Sequence, residues 1–348
     1  MPDPNPRRTS AFVREDDEPS SQISVLSPAR KLKYDLFEAF KAHLRRKLKA
    51  GQLAIVGLQP GLRAASVIAV LVVKDEAVRF PYLLKYYRDL GVEHFIVIDN
   101  GSRDHLQEFL ALEIDVSVYQ AEGNYGEARY GNDWVNEVLH RHCRGKWILY
   151  VDADEFLVVG GATRSIPEIC EFLRRKGQRA LNTVMVDMYS DTGVLQNVVS
   201  AGQDPLEVCA FFDQSGYQLR VDSLSNTGWI KGGLRGRLFF ADDTWAGPAL
   251  NKTPLVRWRV GDAFLKSSHQ LWPRSLNSGS REPRGALLHF KFTVESVKKA
   301  GDVVAARQHT AEYGAYASIT DARFVADVTT RFAGAETLVE LGVITPLD

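Results

Sequence analysis

The stretch that most constrains the fold runs from residue 146 to residue 159, where an apolar segment leads into acidic side chains. The five residues before Asp152 are all apolar or aromatic, and Gly145 precedes the run. A buried strand fits this pattern better than a helix. On an extended backbone Asp152 and Asp154 point to the same side, where two like charges need a cation or water to compensate them. Oxygen ligands of this kind suit Mg²⁺ or Mn²⁺, and the alternative is a strand that ends in a solvated acidic turn.

The composition is that of an ordinary globular protein. The chain has 348 residues, of which 45% are hydrophobic, and this is enough for one large domain or two. With 43 basic and 43 acidic residues the net charge is zero, so nothing global points to a nucleic-acid partner. The three cysteines, Cys143, Cys170 and Cys209, are too far apart for a disulfide framework or a zinc site, which indicates a reducing compartment. Without a secretory pattern or an apolar run long enough to span a bilayer, the sequence predicts a cytoplasmic protein.

The first part of the chain predicts an arm and a helix. Residues 1–30 are rich in Pro, Ser, Asp and Arg, so we predict a disordered arm. Within 31–62, large apolar residues recur every fourth position and predict an amphipathic helix, followed by a linker. Basic residues crowd its last turns. Either the helix packs its apolar stripe on the main domain with a solvated basic face, or the basic residues contact anionic lipid at the inner face of the membrane.

Alternating strand and helix patterns follow the predicted linker. Strands are predicted at 65–73, 94–98 and 114–119, with an amphipathic helix at 80–90 between the first two. Strand, helix and strand in this order form a right-handed βαβ unit, whose ligand crevice lies beyond the carboxyl ends of the strands. Acidic residues follow these ends, which predicts a shared site for a metal and a phosphate; they are Asp75, Glu76, Asp99, Asp152 and Asp154.

A cation also lies near the start of a predicted helix. Arg129 follows a Gly-containing turn at 123–126. Because a helix N-terminus favours anions, Arg129 could add a charge-assisted contact to a phosphate. The alternative is a salt bridge with Asp133, four residues further along the helix.

Four segments resemble successive motifs of glycosyltransferase family 2, at 73–77, 98–104, 124–132 and 147–157. Three later segments, at 232–239, 251–258 and 287–292, resemble a bacterial branch whose acidic motif reads Asp-Ala-Asp-Glu-Phe. The resemblance covers residues 66–292. It implies a GT-A, Rossmann-like α/β fold with a mixed, mainly parallel sheet flanked by helices. The domain would span 63–292, with a nucleotide-sugar half at 63–160 and an acceptor half at 161–292, and residues 293–348 would form a helical extension.

The resemblance also implies a donor site for a nucleoside diphosphate sugar, with a UDP-sugar as the expected donor. Asp75 or Glu76, together with Asp99, would hold the base and ribose of the donor, and Asp152 would contact its diphosphate through the metal. Arg129 and Lys252 are the cations of the sequence that are expected to contact the donor as well. Mn²⁺ or Mg²⁺ on the diphosphate would be held by Asp152 and Asp154, with His289 as third ligand and His269 as its alternative.

The catalytic base is expected in the second half of the domain. Asp191 is the first candidate and Asp187 the second, because both follow or end a strand predicted at 184–188 and would face the same way. Either acid alone fits a capping or turn residue equally well. The usual base motif of the family is not plainly present, and the next candidates are Asp242, Asp243 and Asp262.

Together these features predict a metal-dependent, inverting hexosyltransferase that acts on a glycan or lipid-linked acceptor in polysaccharide or glycoconjugate synthesis. One alternative is a sugar nucleotidyltransferase, which would be expected to carry a Gly-rich basic loop directly after the first strand. This chain has Lys74-Asp75-Glu76 there. The other alternative is a non-catalytic nucleotide-sugar-binding relative, which would usually have lost a carboxylate of the metal pair.

Overall fold

The computed structural model describes residues 11–14, 27–161, 165–279, 281–297 and 323–347. The helices are α1 (Pro28–Lys49), α2 (Gly61–Ala64), α3 (Phe80–Asp89), α4 (Leu106–Leu110), α5 (Asn132–His142), α6 (Ile166–Arg175), α7 (Gly233–Phe239) and α8 (Ala335–Glu340). The strands are β1 (Phe12–Arg14), β2 (Leu53–Gly57), β3 (Val67–Val73), β4 (His94–Asp99), β5 (Val116–Ala121), β6 (Trp147–Tyr150), β7 (Glu155–Val158), β8 (Ala180–Asp187), β9 (Phe211–Asp213), β10 (Tyr217–Asp222), β11 (Thr227–Gly232), β12 (Asn251–Arg257), β13 (Ala263–Phe264), β14 (Leu271–Trp272), β15 (Gly285–His289) and β16 (Thr329–Arg331).

A nine-stranded sheet forms the centre of the molecule, in the order β2-β5-β4-β3-β6-β12-β8-β15-β7. Strands β3, β4, β5 and β6 are parallel to one another. Strand β12 is antiparallel to β6 and to β8, and β15 is parallel to β8, so β8 and β15 also run in the direction of β3. Only β2, β12 and β7 run the other way in this sheet. The predicted class, a mixed and mainly parallel α/β sheet flanked by helices, is confirmed.

Helices cover both faces of the sheet, and this explains the uninterrupted apolar sequence of β3. Val67, Ala69, Leu71 and Val73 pack into one core with side chains of α3 and α6. The alternate residues of β3 pack into a second core with α5. A strand buried on both faces carries apolar residues throughout, as this one does.

Helix α1 packs on the domain through small and charged side chains rather than through its apolar stripe. Its buried residues are Asp35, Ala39, Ala42 and Arg46. The Arg46 guanidinium lies 2.6 Å from the Glu137 carboxylate of α5. The large apolar side chains are 46% to 71% exposed; they are Leu32, Leu36, Phe37, Phe40, Leu44 and Leu48. The expectation that this stripe packs inward is wrong, because close approach at the alanines and the buried ion pair fix the opposite face.

Two predictions for the chain ends also need correction. Residues 12–14 of the predicted disordered arm form β1, which pairs with β10, and Phe12 is buried beside Tyr217. Most of the arm lies outside the described residues. In the predicted helical extension, β16 pairs with β9, so the part that the structure describes contains a strand as well as α8.

The three cysteines are buried and unpaired, at separate places in the fold. Burial raises the pKa of Cys143, Cys170 and Cys209 to about 12 each. Among the described residues, no helix has both the length and the apolar character needed to cross a bilayer.

Candidate active site

The candidate site lies where the strand order of the sheet reverses. Strand β3 sits between β4, which leads on to β5, and β6, which leads into the second half of the sheet. In open α/β sheets, ligands bind outside the carboxyl ends of the strands at such a switch point. The residues that follow β3 and β6 at this edge are Asp75, Glu76, Asp152 and Asp154.

The Asp-Ala-Asp segment is a turn between two strands. Strand β6 ends at Tyr150 and β7 begins at Glu155, and β7 pairs with β15 at the far end of the sheet. The Glu155 N–H donates to the Asp152 carbonyl at 3.1 Å, and the Asp152 N–H donates to the Glu155 carboxylate at 3.0 Å. The buried strand that leads into the acids is confirmed as β6, but the expectation that Asp152 and Asp154 lie on one extended backbone is wrong, and the two have different surroundings.

Asp152 belongs to a cluster with Lys252 and Glu155. The Lys252 ammonium lies 2.9 Å from Asp152 Oδ2 and 2.8 and 2.6 Å from the two Glu155 oxygens. Burial raises the pKa of the Glu155 carboxyl, although the ammonium opposes this. Burial by itself would lower the pKa of Lys252, but Asp152 and Glu155 hold it above its usual range. Lys252, predicted to bind the donor, therefore already has two carboxylate partners.

Asp154 begins a different chain of contacts. His289 Nε2 lies 3.5 Å from Asp154 Oδ2, and His289 Nδ1 lies 2.6 Å from Asp187 Oδ1. Arg235 Nε donates to the other Asp187 oxygen at 2.8 Å. Burial would raise the pKa of Asp187, but Arg235 and His289 hold it below its usual range. Since an ionised carboxylate only accepts hydrogen bonds, Nδ1 of His289 donates to Asp187, and Nε2 is the ring nitrogen that faces Asp154.

Asp154 also lines a cleft beside the carboxyl end of β3. Its walls combine aromatic side chains, including Tyr82, Phe156 and Phe290, with the charged Glu76 and Arg79. Burial would raise the pKa of Asp154, but His289 and Arg79 hold it well below its usual range. The cleft thus joins an ionised carboxylate to an apolar surface on which a flat ring can pack.

Arg79 connects two sides of this cleft. Its guanidinium lies 2.6 Å from Glu76 and donates to Ser296 Oγ at 2.6 Å and Thr293 Oγ1 at 3.2 Å. It holds the start of α3 against the segment that follows β15, and it places a cation near Asp154.

Asp75 and Asp99 organise the loops after β3 and β4. Asp99 is fully buried, and it accepts hydrogen bonds from the Ser102 N–H and Oγ and from Gln107 Nε2. Asp75 accepts from the Arg103 N–H at 2.6 Å, while its own N–H donates to Ser102 Oγ at 2.9 Å. Ser102 therefore ties the two loops together, and the Asp99 oxygens are used within the fold.

Arg129 forms an ion pair with Asp133, which is the alternative that the sequence offered. Asp133 is fully buried and also receives Arg45 Nε of α1 at 3.0 Å. Arg129 precedes α5 instead of lying within it, with a left-handed φ of 51°. Its guanidinium therefore already has a carboxylate partner within the fold, and this argues against Arg129 as a phosphate ligand.

The base candidates differ sharply in their surroundings. The strand predicted at 184–188 is β8, which ends at Asp187, so the expectation that Asp187 and Asp191 face the same way along an extended backbone is wrong. Asp187 is buried, whereas Asp191 lies in the following loop and is exposed. Among the next candidates, Asp262 is buried and pairs with Arg179, and Asp243 caps a short helical turn through the Trp245 N–H.

His269 lies away from Asp154, with Nδ1 hydrogen-bonded to the Asn251 carbonyl. Burial, together with the nearby Lys252 ammonium, lowers its pKa to about 4. Of the two histidines named from the sequence, His289 is the one that contacts Asp154.

Asp154 and His289 are the two side chains of the site that best fit a divalent cation. Among the residues that the structure describes, no three His, Cys, Asp or Glu side chains are grouped to hold a metal ion. Asp154 and His289 fit as two ligands, and Asp187 fixes the imidazole in the way usual for a metal-bound histidine. Mg²⁺ commonly takes one or two carboxylates and completes its shell with water and substrate phosphates. Asp152 would have to exchange its contact with Lys252 in order to join them.

The roles of three site residues were not predicted from the sequence; these residues are Glu155, Arg79 and Arg235. Glu155 follows the Asp-Ala-Asp motif directly, and its position in an apolar strand is a signal of a buried acid that needs a partner. Arg79 and Arg235 gave no such signal, because their partners Ser296 and Asp187 lie 217 and 48 residues away in the chain.

No protein-family model matches this chain, and no curated protein matches it. Similar solved structures include a mannosyltransferase from Pyrobaculum calidifontis in complex with GDP-Man and Mn²⁺, 13% identical, with a TM-score of 0.27 over 44% of this chain and 45% of that one. Another is glucosyl-3-phosphoglycerate synthase from Mycobacterium tuberculosis in complex with Mn²⁺, UDP and glucosyl-3-phosphoglycerate, 15% identical, with a TM-score of 0.23 over 36% of this chain and 47% of that one. A third is a putative glucose-1-phosphate thymidylyltransferase from Bacillus anthracis in complex with a sucrose, 8% identical, with a TM-score of 0.24 over 79% and 94%. The alignment spans less than half the length of the first two.

Proposed function

We propose that this chain is a metal-dependent, inverting glycosyltransferase that moves a hexose from a nucleoside diphosphate sugar, expected to be a UDP-sugar, to a glycan or lipid-linked acceptor. The observation that supports this best is the contact of Asp154 with His289 at the switch point of the sheet, with Asp187 orienting the imidazole. A carboxylate and an imidazole nitrogen at such a crevice suit a cation that carries a diphosphate.

The proposed roles follow from the contacts of each group. Asp154 and His289 would hold Mn²⁺ or Mg²⁺, with Asp152 as a further ligand once a donor is present. When bound, such an ion offsets the negative charge that develops on the departing diphosphate. Glu76 and Arg79 line the cleft where the donor would lie, and Asp187 with Arg235 would act on His289 as positioning residues.

The chemical step is a substitution at the anomeric carbon. The acceptor hydroxyl oxygen attacks that carbon from the face opposite the diphosphate, and the bond from the carbon to the diphosphate oxygen breaks with its electron pair leaving on that oxygen. The hydroxyl proton passes to a carboxylate of the protein, for which we propose Asp191. Asp191 is exposed, whereas both oxygens of the buried Asp187 are already engaged by Arg235 and His289.

A donor panel tests this function. The full chain is incubated with Mn²⁺ and single nucleoside diphosphate sugars, and release of the free nucleoside diphosphate is measured with and without EDTA. We expect release from one donor class, abolished by EDTA. In parallel, nucleoside triphosphates are supplied with sugar 1-phosphates. Pyrophosphate release in that arm, with none from the donor panel, would identify a sugar nucleotidyltransferase instead.

Two Asp→Asn variants separate the base from the positioning residue. For Asp191→Asn we expect kcat to fall by roughly 10²- to 10⁴-fold with unchanged donor and Mn²⁺ affinity, because only the proton acceptor is lost. For Asp187→Asn we expect Mn²⁺ affinity to fall by roughly 10- to 100-fold, because His289 loses the carboxylate that orients it.

Single-turnover rates and Mn²⁺ titrations of both variants make this comparison. Normal rates in Asp191→Asn would remove that residue from the mechanism and make the exposed Asp242 the next candidate. Loss of donor affinity in both variants would instead assign both acids to the nucleotide site.

The proposed setting is the inner face of the membrane, where lipid-linked acceptors would be reached by a peripheral protein. Of the four basic residues near the end of α1, Lys47 is exposed and supports this part of the proposal. The other three, Arg45, Arg46 and Lys49, pair with acids of the domain.

A further inference from the structure

The outer face of α1 is the largest apolar feature on a single helix of the described surface. It comprises Leu32, Leu36, Phe37, Phe40, Leu44 and Leu48, together with the exposed basic residues Arg30, Lys33, Lys41 and Lys47. Isolated apolar residues on a surface are ordinary, but a contiguous set of this size indicates an interaction site. We propose that this outer face docks on an anionic membrane, with the apolar side chains entering the lipid and the basic residues contacting the headgroups.

The inner face of α1 is fixed to the domain, so the helix cannot rotate to bury its stripe without breaking ion pairs. Arg46 pairs with Glu137 at 2.6 Å with both side chains under 10% exposed. Arg45 pairs with Asp133 at 3.0 Å and donates to the Glu127 carbonyl at 2.8 Å. Separating a buried pair leaves an uncompensated charge, which is strongly unfavourable. The apolar stripe is therefore held toward solvent by the domain itself.

The charges of α1 favour an anionic partner. The helix has two acidic residues, of which Asp35 is buried and Glu38 is 15% exposed and paired with Lys41. Its four exposed charged residues are basic. An interfacial helix with large apolar residues and lysines suits the boundary between acyl chains and anionic headgroups, where lysine stems extend along the apolar layer toward water.

A second copy of the chain fits this face less well. In a two-fold symmetric dimer the same surface meets itself, so Lys33, Lys41 and Lys47 of one protomer would face the same lysines of the other. Such like-charge contacts oppose association. A membrane with anionic lipid instead supplies the missing negative charge.

The membrane contact proposed above was attributed to the basic end of α1, whereas the contact described here is made by the outer face of the same helix. The parts that enter the lipid are the apolar residues of the outer face, whereas Arg45 and Arg46 serve as internal anchors. The proposal does not depend on glycosyl transfer, so vesicle binding and donor turnover can fail separately.

Flotation with vesicles tests the proposal on the full chain. We expect binding to phosphatidylcholine vesicles that contain phosphatidylglycerol, weakened by salt, and much weaker binding to phosphatidylcholine alone. The charge variant Lys33→Glu, Lys41→Glu, Lys47→Glu should bind roughly 10²-fold or more weakly. The affinity of the apolar variant Leu36→Ser, Phe40→Ser, Leu44→Ser for these vesicles should fall at least about tenfold, because the free energy gained by inserting these side chains into the lipid is lost.

The matched control is Leu112→Ser, Ile114→Ser, which removes two side chains that are 81% and 87% exposed elsewhere on the surface. This control should bind like the unchanged protein, and the circular dichroism of every variant should show a retained fold. Equal binding of the apolar variant and the unchanged protein would overturn the proposal. So would a dimer in light scattering that the apolar variant dissociates, with no vesicle binding, since this would assign the face to a second copy.

Discussion

Asp154→Asn is expected to lower the single-turnover rate of the glycosyl transfer that we propose by roughly 10²- to 10⁴-fold while leaving the fold intact. Loss of a metal-bound carboxylate removes several kcal/mol of stabilisation of the leaving charge, and each 1.4 kcal/mol is about tenfold in rate. The fold should persist, because the residue lies in a turn and its carbonyl, which accepts the Phe290 N–H, is unchanged. Mn²⁺ affinity, measured by titration calorimetry, should fall together with the rate.

Asp89→Asn is the matched control, because Asp89 is an exposed acid on α3 that pairs only with Lys85 among the contacts described. It should retain the rate and the Mn²⁺ affinity of the unchanged protein. Full activity of Asp154→Asn in EDTA would refute the metal assignment, whatever the donor.

The second large effect is on stability. Lys252→Met should lower the free energy of unfolding by roughly 3 to 5 kcal/mol, because it leaves the carboxylate of Glu155, which is 1% exposed, without its counter-charge. The Lys252 side chain is itself 2% exposed, so water cannot readily replace the ammonium. Urea unfolding followed by fluorescence gives the value directly.

Lys85→Met provides the comparison, because Lys85 pairs with Asp89 at 2.5 Å with both side chains more than 60% exposed. An exposed pair of this kind contributes about 1 kcal/mol or less. The double variant Glu155→Gln, Lys252→Met should recover part of the loss, because the acid that then lacks the ammonium is Asp152, whose side chain is 45% exposed to water. If Lys252→Met were as stable as the unchanged protein, the cluster could not be a buried ion pair of the kind described.

The sequence was a good guide to local structure. The apolar run of β3, the helical spacing of α3 and the acids after β3, β4 and β6 were all visible, because these patterns repeat within a few residues and reflect burial on one or two faces. They were enough to predict the sheet class and the edge of the sheet where the acids meet.

What the sequence did not reveal depends on contacts between distant residues. The division of the Asp-Ala-Asp run into β6 and β7 follows from the pairing of β7 with β15, about 130 residues later in the chain. The Lys252 partner of Glu155 lies 97 residues away. For α1, periodicity identified an apolar stripe but could not say which face would meet the domain, since Ala39, Ala42 and Arg46 decided that through their contacts.

The buried cysteines make the protein convenient for site-specific labelling. Thiols react as thiolates, and burial raises the pKa of Cys143, Cys170 and Cys209 to about 12 each. Because these thiols are also buried, they should not react with maleimides at neutral pH. One cysteine introduced at an exposed position such as Leu48 would then be the only reactive thiol of the native chain. A polarity-sensitive dye placed there reports the environment of a chosen side chain without any prior removal of natural thiols.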